Sequence, residues 1–196
     1  MLEHKRYSTL IVSAGEKFTS ALTGVLDEEN FYPVVVLKSI SAARRELLER
    51  EYDIIAINAP LPDELGANFA IDRARDSSAG VVLFVPGDIY DEISDKAADF
   101  GVMTVAKPTS RAVVRQTLKL LCATRQRVLH VEQKAASFEE KIEEIKLVNK
   151  AKWLLVDKLV IDEPRAHRYI EKLAMDTRRT KIQVARDIIE EYKDKE

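Results

Sequence analysis

The sequence contains little of what marks secreted, metal-dependent or membrane-spanning proteins. It has one cysteine, Cys122, among 196 residues, so no disulfide can form within the chain. Its histidines, His4, His130 and His167, lie far apart without ligand spacing, so we expect no metal site. No apolar run approaches the roughly 20 residues that cross a bilayer, and none near the amino terminus is long enough for a signal peptide core. We therefore expect a cytoplasmic protein with no membrane partner.

The sequence also lacks the motifs of common enzyme classes. It has no glycine-rich phosphate loop, nucleophilic serine elbow or paired-carboxylate motif. We therefore expect no enzymatic activity and no cofactor. The formal net charge is only −2, from 31 basic and 33 acidic side chains, so any surface for a polyanion must be local.

Residues 1–122 alternate between short apolar runs and longer amphipathic stretches. Most runs are rich in β-branched residues at consecutive positions, which is typical of strands that are buried on both faces of a sheet. We predict strands over 9–13, 33–37, 54–58, 81–85 and 102–106. We predict helices over 17–28, 41–50, 65–76, 90–100 and 109–121. This alternation indicates an α/β domain with a five-stranded parallel sheet, whose functional residues follow the carboxyl ends of the strands.

A long helical pattern replaces the strands after residue 121. No glycine or proline occurs between Thr109 and Ile161. A seam recurs in steps of three and four residues over about four heptads, which is typical of a coiled coil. The seam consists of Leu121, Thr124, Val128, Val131, Ala135, Phe138, Ile142, Ile145 and Asn149. We predict a homodimer through this seam, with Asn149 placed to fix its register; the alternative is a helix that packs on its own chain.

Residues 150–196 are predicted to form a small three-helix bundle that begins with the end of the long helix. Asp162, followed by Pro164 in the first turn, marks the start of a second helix. Thr180 and Gln183 form a capping-box pattern at the start of a third. The chain is thus divided into a sheet domain at 1–122, a coiled-coil linker helix at 123–149 and a helical domain at 150–196.

Two segments of the sheet domain match a known pattern. IIAINAPLPDELG has the form of a third strand and its loop, and VMTVAKP has the form of a fifth strand that ends in Lys-Pro. With these segments, residues 7–122 resemble the receiver domain of response regulators. The resemblance implies a flavodoxin-like fold. In ordinary receivers, an aspartate at the end of the third strand is phosphorylated, and an acidic pair holds Mg²⁺.

The expected phosphoacceptor pocket departs from that pattern at nearly every position. Asn58 occupies the phosphoacceptor position, and Ser13 and Ala14 replace the acidic pair. Val85 replaces the hydroxyl residue of the fourth strand, and Lys107 is retained. An amide is a poor nucleophile for phosphoryl transfer, and Mg²⁺ prefers carboxylate oxygens. We therefore expect a pseudo-receiver without a metal, in which Lys107 hydrogen-bonds Asn58 or backbone carbonyls. Regulation would then come from a partner protein or a ligand, or the activity would be constitutive.

The helical domain shows a second known pattern. Its first helix has an alanine and two adjacent aliphatic residues, and its second has an acidic cap, then an alanine and an aromatic residue, then Leu-Ala-Met. Basic residues follow, before Val-Ala and two adjacent isoleucines. The residues are Ala151, Leu154, Leu155, Asp162, Glu163, Ala166, Tyr169, Leu173, Ala174, Met175, Arg178, Arg179, Lys181, Val184, Ala185, Ile188 and Ile189. With them, residues from about 146 to 192 resemble the ANTAR domain, the output module of transcription antitermination regulators. The resemblance implies dimers that bind hairpins in leader RNA, with no DNA partner.

Five basic residues are the candidates for RNA contact. Arg178, Arg179 and Lys181 cluster at the start of the third helix, where backbone N–H groups also favour phosphate. Lys152 and Arg168 lie on adjoining helices and are expected to extend the same surface.

Aromatic residues and charge support RNA binding only modestly. From residue 146 onward, thirteen basic residues outnumber ten acidic ones. Trp153 and Tyr169 could stack on RNA bases, but core packing is the expectation for both. The alternative function is a dimeric protein-interaction scaffold that binds no RNA.

Overall fold

The computed structural model describes residues 6–193, and the chain divides into two units between His130 and Val131. The first unit contains a five-stranded parallel sheet with the order β2-β1-β3-β4-β5. Its strands are β1 (Tyr7–Val12), β2 (Phe31–Leu37), β3 (Ile54–Asn58), β4 (Gly80–Pro86) and β5 (Met103–Lys107). The predicted parallel α/β sheet is confirmed, with strand ends that move by no more than two residues.

Helices follow each strand of the sheet. They are α1 (Glu16–Thr23), α2 (Ile40–Glu49), α3 (Ala67–Asp76), α4 (Tyr90–Ala98) and α5 (Arg111–Leu159), with a 3₁₀ turn at Gly87–Ile89. Side chains alternate across the sheet, so Ile55 and Ile57 join one core cluster while Ile54 and Ala56 join the other. The sheet is therefore buried on both faces, as its continuous apolar runs indicate.

Local capping decides where several helices begin and end. Ser39 accepts a hydrogen bond from the Ala42 N–H and starts α2, and Ser110 accepts one from the Val113 N–H before α5. The prediction that the first helix reaches residue 28 is wrong. The helix ends at Thr23 because Gly24 caps it, and Asp27 then forms a turn by accepting from the Asn30 N–H.

The second unit packs the end of α5 with α6 (Glu163–Thr177) and α7 (Lys181–Lys193). Asp162 accepts a 2.8 Å hydrogen bond from the Arg165 N–H, which caps α6. The Thr180 N–H donates to Gln183 Oε1 at 3.0 Å, and the Gln183 N–H donates to Thr180 Oγ1 at 3.2 Å. Both predicted caps are therefore confirmed. Within residues 6–193, no helix combines the length and apolar character needed to cross a membrane.

Candidate functional site

The carboxyl ends of β1, β3 and β5 bring Ser13, Asn58 and Lys107 into one hydrogen-bonded group. Asn58 Nδ2 donates to Ser13 Oγ at 3.1 Å, and Lys107 Nζ donates to Asn58 Oδ1 at 2.6 Å. Lys107 also donates to the carbonyl oxygen of Ala59. Asn58 and Ser13 are buried, with exposed fractions of 8% and 2%. The amide thus uses both its donor and its acceptor end within the pocket, as a buried polar group must.

The other two predicted pocket residues supply no polar side chain. Ala14 is exposed, and Val85 is fully buried in the core beside the sheet. Asp63 follows β3 in sequence, but its carboxylate accepts from the N–H groups of Ser41 at 2.8 Å and Ile40 at 3.1 Å. These hydrogen bonds lower the pKa of Asp63 to about 2 and commit the carboxylate to the start of α2. This region of the fold therefore presents a lysine and an amide in place of an acidic cluster.

Lys107 carries a partly buried positive charge in this pocket. Burial lowers the pKa of its ammonium group. Its Nζ lies 5.9 Å from the ring centroid of Phe18, and none of the ion pairs among residues 6–193 involves Lys107. The charge is therefore balanced by dipoles and a ring face rather than by a carboxylate.

Metal ligands are not grouped in the part of the chain that the structure describes. Across residues 6–193, no three His, Cys, Asp or Glu side chains are placed to hold one ion. His4, which the sequence analysis considered, lies outside those residues. The pocket therefore offers hydrogen bonding by Asn58 and Lys107, with no carboxylate nucleophile.

The start of α7 brings Arg179 and Lys181 together in the second unit. Both line an open groove with Glu171, Met175 and Thr180. Arg179 forms an ion pair with Asp187, and Lys181 pairs with Glu171 at 2.6 Å. All four of these charged side chains are at least 40% exposed, and exposed ion pairs of this kind are weak and exchangeable.

Arg178 occupies the turn between α6 and α7. Its φ is 53°, and its backbone N–H caps α6 by donating to the carbonyl oxygens of Ala174 and Met175. Its side chain is exposed and forms no ion pair with the rest of residues 6–193. The Arg178 guanidinium is therefore available to an incoming anion.

The structure separates Lys152 from this cluster. Lys152 Nζ pairs with Glu163 at 2.6 Å, and its side chain is only 14% exposed. Glu163 opens α6 and Arg178 follows its last residue, so the two ends lie roughly 22 Å apart at 1.5 Å per residue. Lys152 is thus paired near the start of α6, about a helix length from Arg178, and its contact with RNA stays a prediction.

A basic strip along α6 includes a residue that the sequence analysis missed. Arg168, Lys172 and Met175 recur at helical spacing and are all exposed. Arg168 Nε donates to the Pro164 carbonyl oxygen, and Lys172 has no ion-pair partner among residues 6–193. Met175 is 79% exposed and also lines the groove of Arg179. The i, i+4, i+7 spacing from Arg168 is the signal that identifies Lys172.

Trp153 and Tyr169 do not pack in the core of the second unit. Trp153 is 66% exposed and Tyr169 is 47% exposed. The expectation of core packing is wrong for both, because Ala151 and Leu155 on α5 and Ile170 on α6 fill that core instead. Both rings are free to stack on a partner.

The predicted seam divides between two environments. Leu121 is 1% exposed and belongs to the core of the first unit, where it faces Gly80. It is therefore not available to a partner, because the sheet already covers it. The other apolar seam residues are exposed: Val128 at 38%, Val131 at 59%, Phe138 at 61%, Ile142 at 52% and Ile145 at 59%, with Ala135 and Asn149 also exposed.

Comparison with known sequences identifies the second unit. Residues 136–189 match the ANTAR domain. The match begins within the predicted linker at 123–149, so the region that matches the family includes the end of the exposed seam. The chain is 29% identical over 139 residues to the transcriptional regulatory protein PdtaR of Mycobacterium tuberculosis strain H37Rv, covering 70% of this chain and 67% of that protein.

Comparison with solved structures identifies the fold of the first unit. The receiver domain of an HD domain-containing protein from Pseudomonas fluorescens Pf-5 aligns with a TM-score of 0.54 at 17% identity, covering 63% of this chain and 99% of that one. The beryllofluoride-activated NtrC4 receiver domain aligns with a TM-score of 0.52 at 24% identity, covering 61% and 97%. Identities this low establish the receiver fold alone.

Proposed function

The chain joins a receiver fold to a carboxyl-terminal ANTAR domain, and from this premise we propose that it is a transcription antitermination regulator that binds hairpins in leader RNA. The observation that carries the proposal is the exposed basic strip along α6 together with the two arginines that follow this helix. Arg168 and Lys172 lie on one face of α6, and Arg178 and Arg179 follow at its end. Guanidinium and ammonium groups in such a row suit the phosphates of folded RNA.

Exposed apolar and aromatic groups beside the strip suit unstacked loop bases. Met175 borders the groove that contains Arg179 and Lys181, and Tyr169 is exposed on α6. Unpaired RNA bases are recognised by stacking on aromatic or guanidinium planes. Arg178 is the preferred stacking or phosphate contact, because no ion pair with residues 6–193 engages it.

The regulator acts as a homodimer through the exposed seam of α5. Every residue from 131 to 140 is exposed, so the described chain covers no side of this segment. Most helical stability in proteins comes from packing of an apolar face, and a heptad row of exposed apolar residues fits a second copy of the same helix. The exposed apolar side chains that we expect in this interface are Val131, Phe138, Ile142 and Ile145.

The receiver-fold unit works without aspartyl phosphorylation. The amide of Asn58 occupies the acceptor position and is already hydrogen-bonded to Lys107 and Ser13. Regulation then comes from a partner protein or a ligand that binds this unit.

A protein-interaction scaffold is the second candidate. The observation that favours it is internal neutralisation: Arg179 pairs with Asp187, Lys181 with Glu171, and Lys152 with Glu163. A surface so balanced attracts polyanions less strongly than its count of basic residues suggests.

A gel-shift titration of the full chain separates these functions. The RNA arm uses paired hairpins from leader transcripts of the source genome, with a scrambled RNA of equal length and a DNA duplex as controls. Antitermination predicts saturable binding to a subset of hairpins. Failure to bind any leader hairpin more tightly than the scrambled RNA would favour the scaffold.

A further inference from the structure

The first unit contains a cavity between α1 and the start of α5, next to the Ser13–Asn58–Lys107 group and sharing Lys107 with it. Its volume is about 190 Å³. Phe18 and Leu22 line it from α1, Val25 lines it from the turn after that helix, and Val114 lines it from α5. A cavity of about 150 Å³ with such apolar walls is large enough to hold benzene. The space therefore suits one aromatic ring or an equivalent aliphatic group.

Two cations and no carboxylate complete the lining of this cavity. Lys107 and Arg111 are both lining residues, and none of the described lining residues is acidic. The ammonium of Lys107 is held by Asn58 and Ala59 and lies near the ring of Phe18. Its donors therefore point toward the pocket of Asn58, while the side chain as a whole contributes positive potential to the cavity.

Arg111 is the more accessible of the two cations. Its side chain lies over Gly24, with Nη2 3.5 Å from the position that a Cβ would take there. Gly24 ends α1, so the guanidinium is near carbonyl groups at a helix terminus, which balance a cation only partly. No carboxylate among residues 6–193 forms an ion pair with Arg111. Its planar fork is therefore open to a bidentate anion at the edge of an apolar cavity.

We propose that this cavity binds a small amphipathic anion, with an aromatic or branched aliphatic body between Phe18, Leu22 and Val114 and a carboxylate or similar group on Arg111. Contact with the apolar walls contributes to the affinity, and Arg111, which has no carboxylate partner among residues 6–193, favours a negatively charged ligand. The proposal is independent of RNA binding, because every residue in it belongs to the first unit.

The probe for the test is phenylacetate, with phenylacetamide as the neutral molecule of nearly identical shape. Both are titrated into the isotope-labelled full chain and followed by amide NMR. We expect saturable shifts at residues 18–25 and 109–114, with a Kd of about 1 mM or tighter for the acid. The amide is expected to bind about tenfold more weakly, since it lacks the charge-assisted contact.

Two pairs of variants locate the site. Ala21 is an exposed lining residue, so Ala21→Trp fills the cavity from the surface, and Ser20→Trp places the same ring on a neighbouring exposed position outside it. We expect Ala21→Trp alone to abolish phenylacetate shifts. Arg111→Gln should lower the affinity for phenylacetate to that for phenylacetamide, whereas Arg115→Gln, one turn later on α5, should leave it unchanged.

Three outcomes would overturn the proposal. They are equal affinities for the acid and the amide, binding that survives Ala21→Trp in a folded variant, and the absence of saturable shifts for either probe. The spectra of each variant without probe report whether the fold persists, so a loss of binding through misfolding is recognised directly.

Discussion

Lys107 Nζ donates a 2.6 Å hydrogen bond to Oδ1 of Asn58, the residue that we assign to the phosphoacceptor position of the receiver fold. The opposite end of the amide donates to Ser13, so neither polar atom of the side chain is left without a partner. An aspartate here would place a carboxylate against the ammonium and lose the donor to Ser13. Groups of the protein alone thus give each end of the amide a hydrogen-bond partner.

Changing Asn58→Asp should therefore not create a phosphorylation site. The new carboxylate would pair with Lys107, but Ser13 and Ala14 still supply no ligand for Mg²⁺. We expect no Mg²⁺-dependent beryllofluoride shift in amide NMR spectra of the wild type or of this variant. A variant that also carries Ser13→Asp and Ala14→Asp should gain Mg²⁺ binding if it folds. A stoichiometric Mg²⁺-dependent shift in the wild type would show that the pocket is a working acceptor.

Dimerisation through the exposed seam of α5 is tested by introducing charged residues into the seam. Phe138→Glu with Ile142→Glu should convert a dimer into a monomer, because burying two carboxylates in a dry helical interface costs several kcal/mol. The matched control is Ala136→Glu with Ser137→Glu, which adds the same charge to the exposed helix away from the seam. Light scattering coupled to size exclusion gives the mass. A monomeric wild type, or a dimer that survives the seam variant, would contradict this interface.

Val160 should be a site of stored strain at the end of α5. Its φ is 51°, a conformation that costs a β-branched residue about 1–3 kcal/mol, and its side chain is 89% exposed. Val160→Gly should therefore stabilise the second unit by about 0.5–1 kcal/mol, after the entropic cost of glycine. Val160→Ala, which keeps the Cβ, should gain much less.

The urea midpoint of this series is measured by circular dichroism and by the fluorescence of Trp153, the single tryptophan, which lies in the second unit. Equal midpoints for the glycine and alanine variants would mean that the backbone at this position is not strained.

Most elements of the fold could be predicted from local sequence patterns, such as apolar periodicity and helix caps. Asp162 and the pair Thr180 and Gln183 cap their helices through contacts three residues apart, so the local order of residues is enough to predict them. The end of α1 was missed because the amphipathic pattern continues past Gly24, and the capping turn at Asp27 has no strong local signature.

The environments of several side chains depend on contacts between residues far apart in the sequence, which a local pattern does not predict. Leu121 fits a heptad as well as it fits a domain helix, because both use spacings of three and four; only its contact with the sheet assigns it to the core. Lys152 shows no local sign of its ion pair with Glu163, eleven residues later. Exposure of Trp153 also depends on how α5, α6 and α7 meet, which periodicity does not specify.

We propose that the exposed arginines at the end of α6 bind RNA phosphates. The variant pair is Arg178→Ala with Arg179→Ala, and the matched control is Arg44→Ala with Arg45→Ala, an adjacent and exposed pair on α2 of the first unit. Both remove two positive charges from the chain. Exposed substitutions usually change stability by less than about 0.5 kcal/mol, so both variants should keep their circular dichroism spectra.

The most direct measurement is filter binding of a cognate leader hairpin by the full chain across a series of salt concentrations. For each phosphate contact that the α6 variant loses, the slope of log affinity against log salt should become shallower by about 0.7–0.9, and the affinity should fall. The Arg44 and Arg45 control should keep the wild-type affinity and slope. An α6 variant with wild-type affinity and slope would show that Arg178 and Arg179 do not contact RNA, and a wild type that binds no leader hairpin would exclude antitermination through leader RNA.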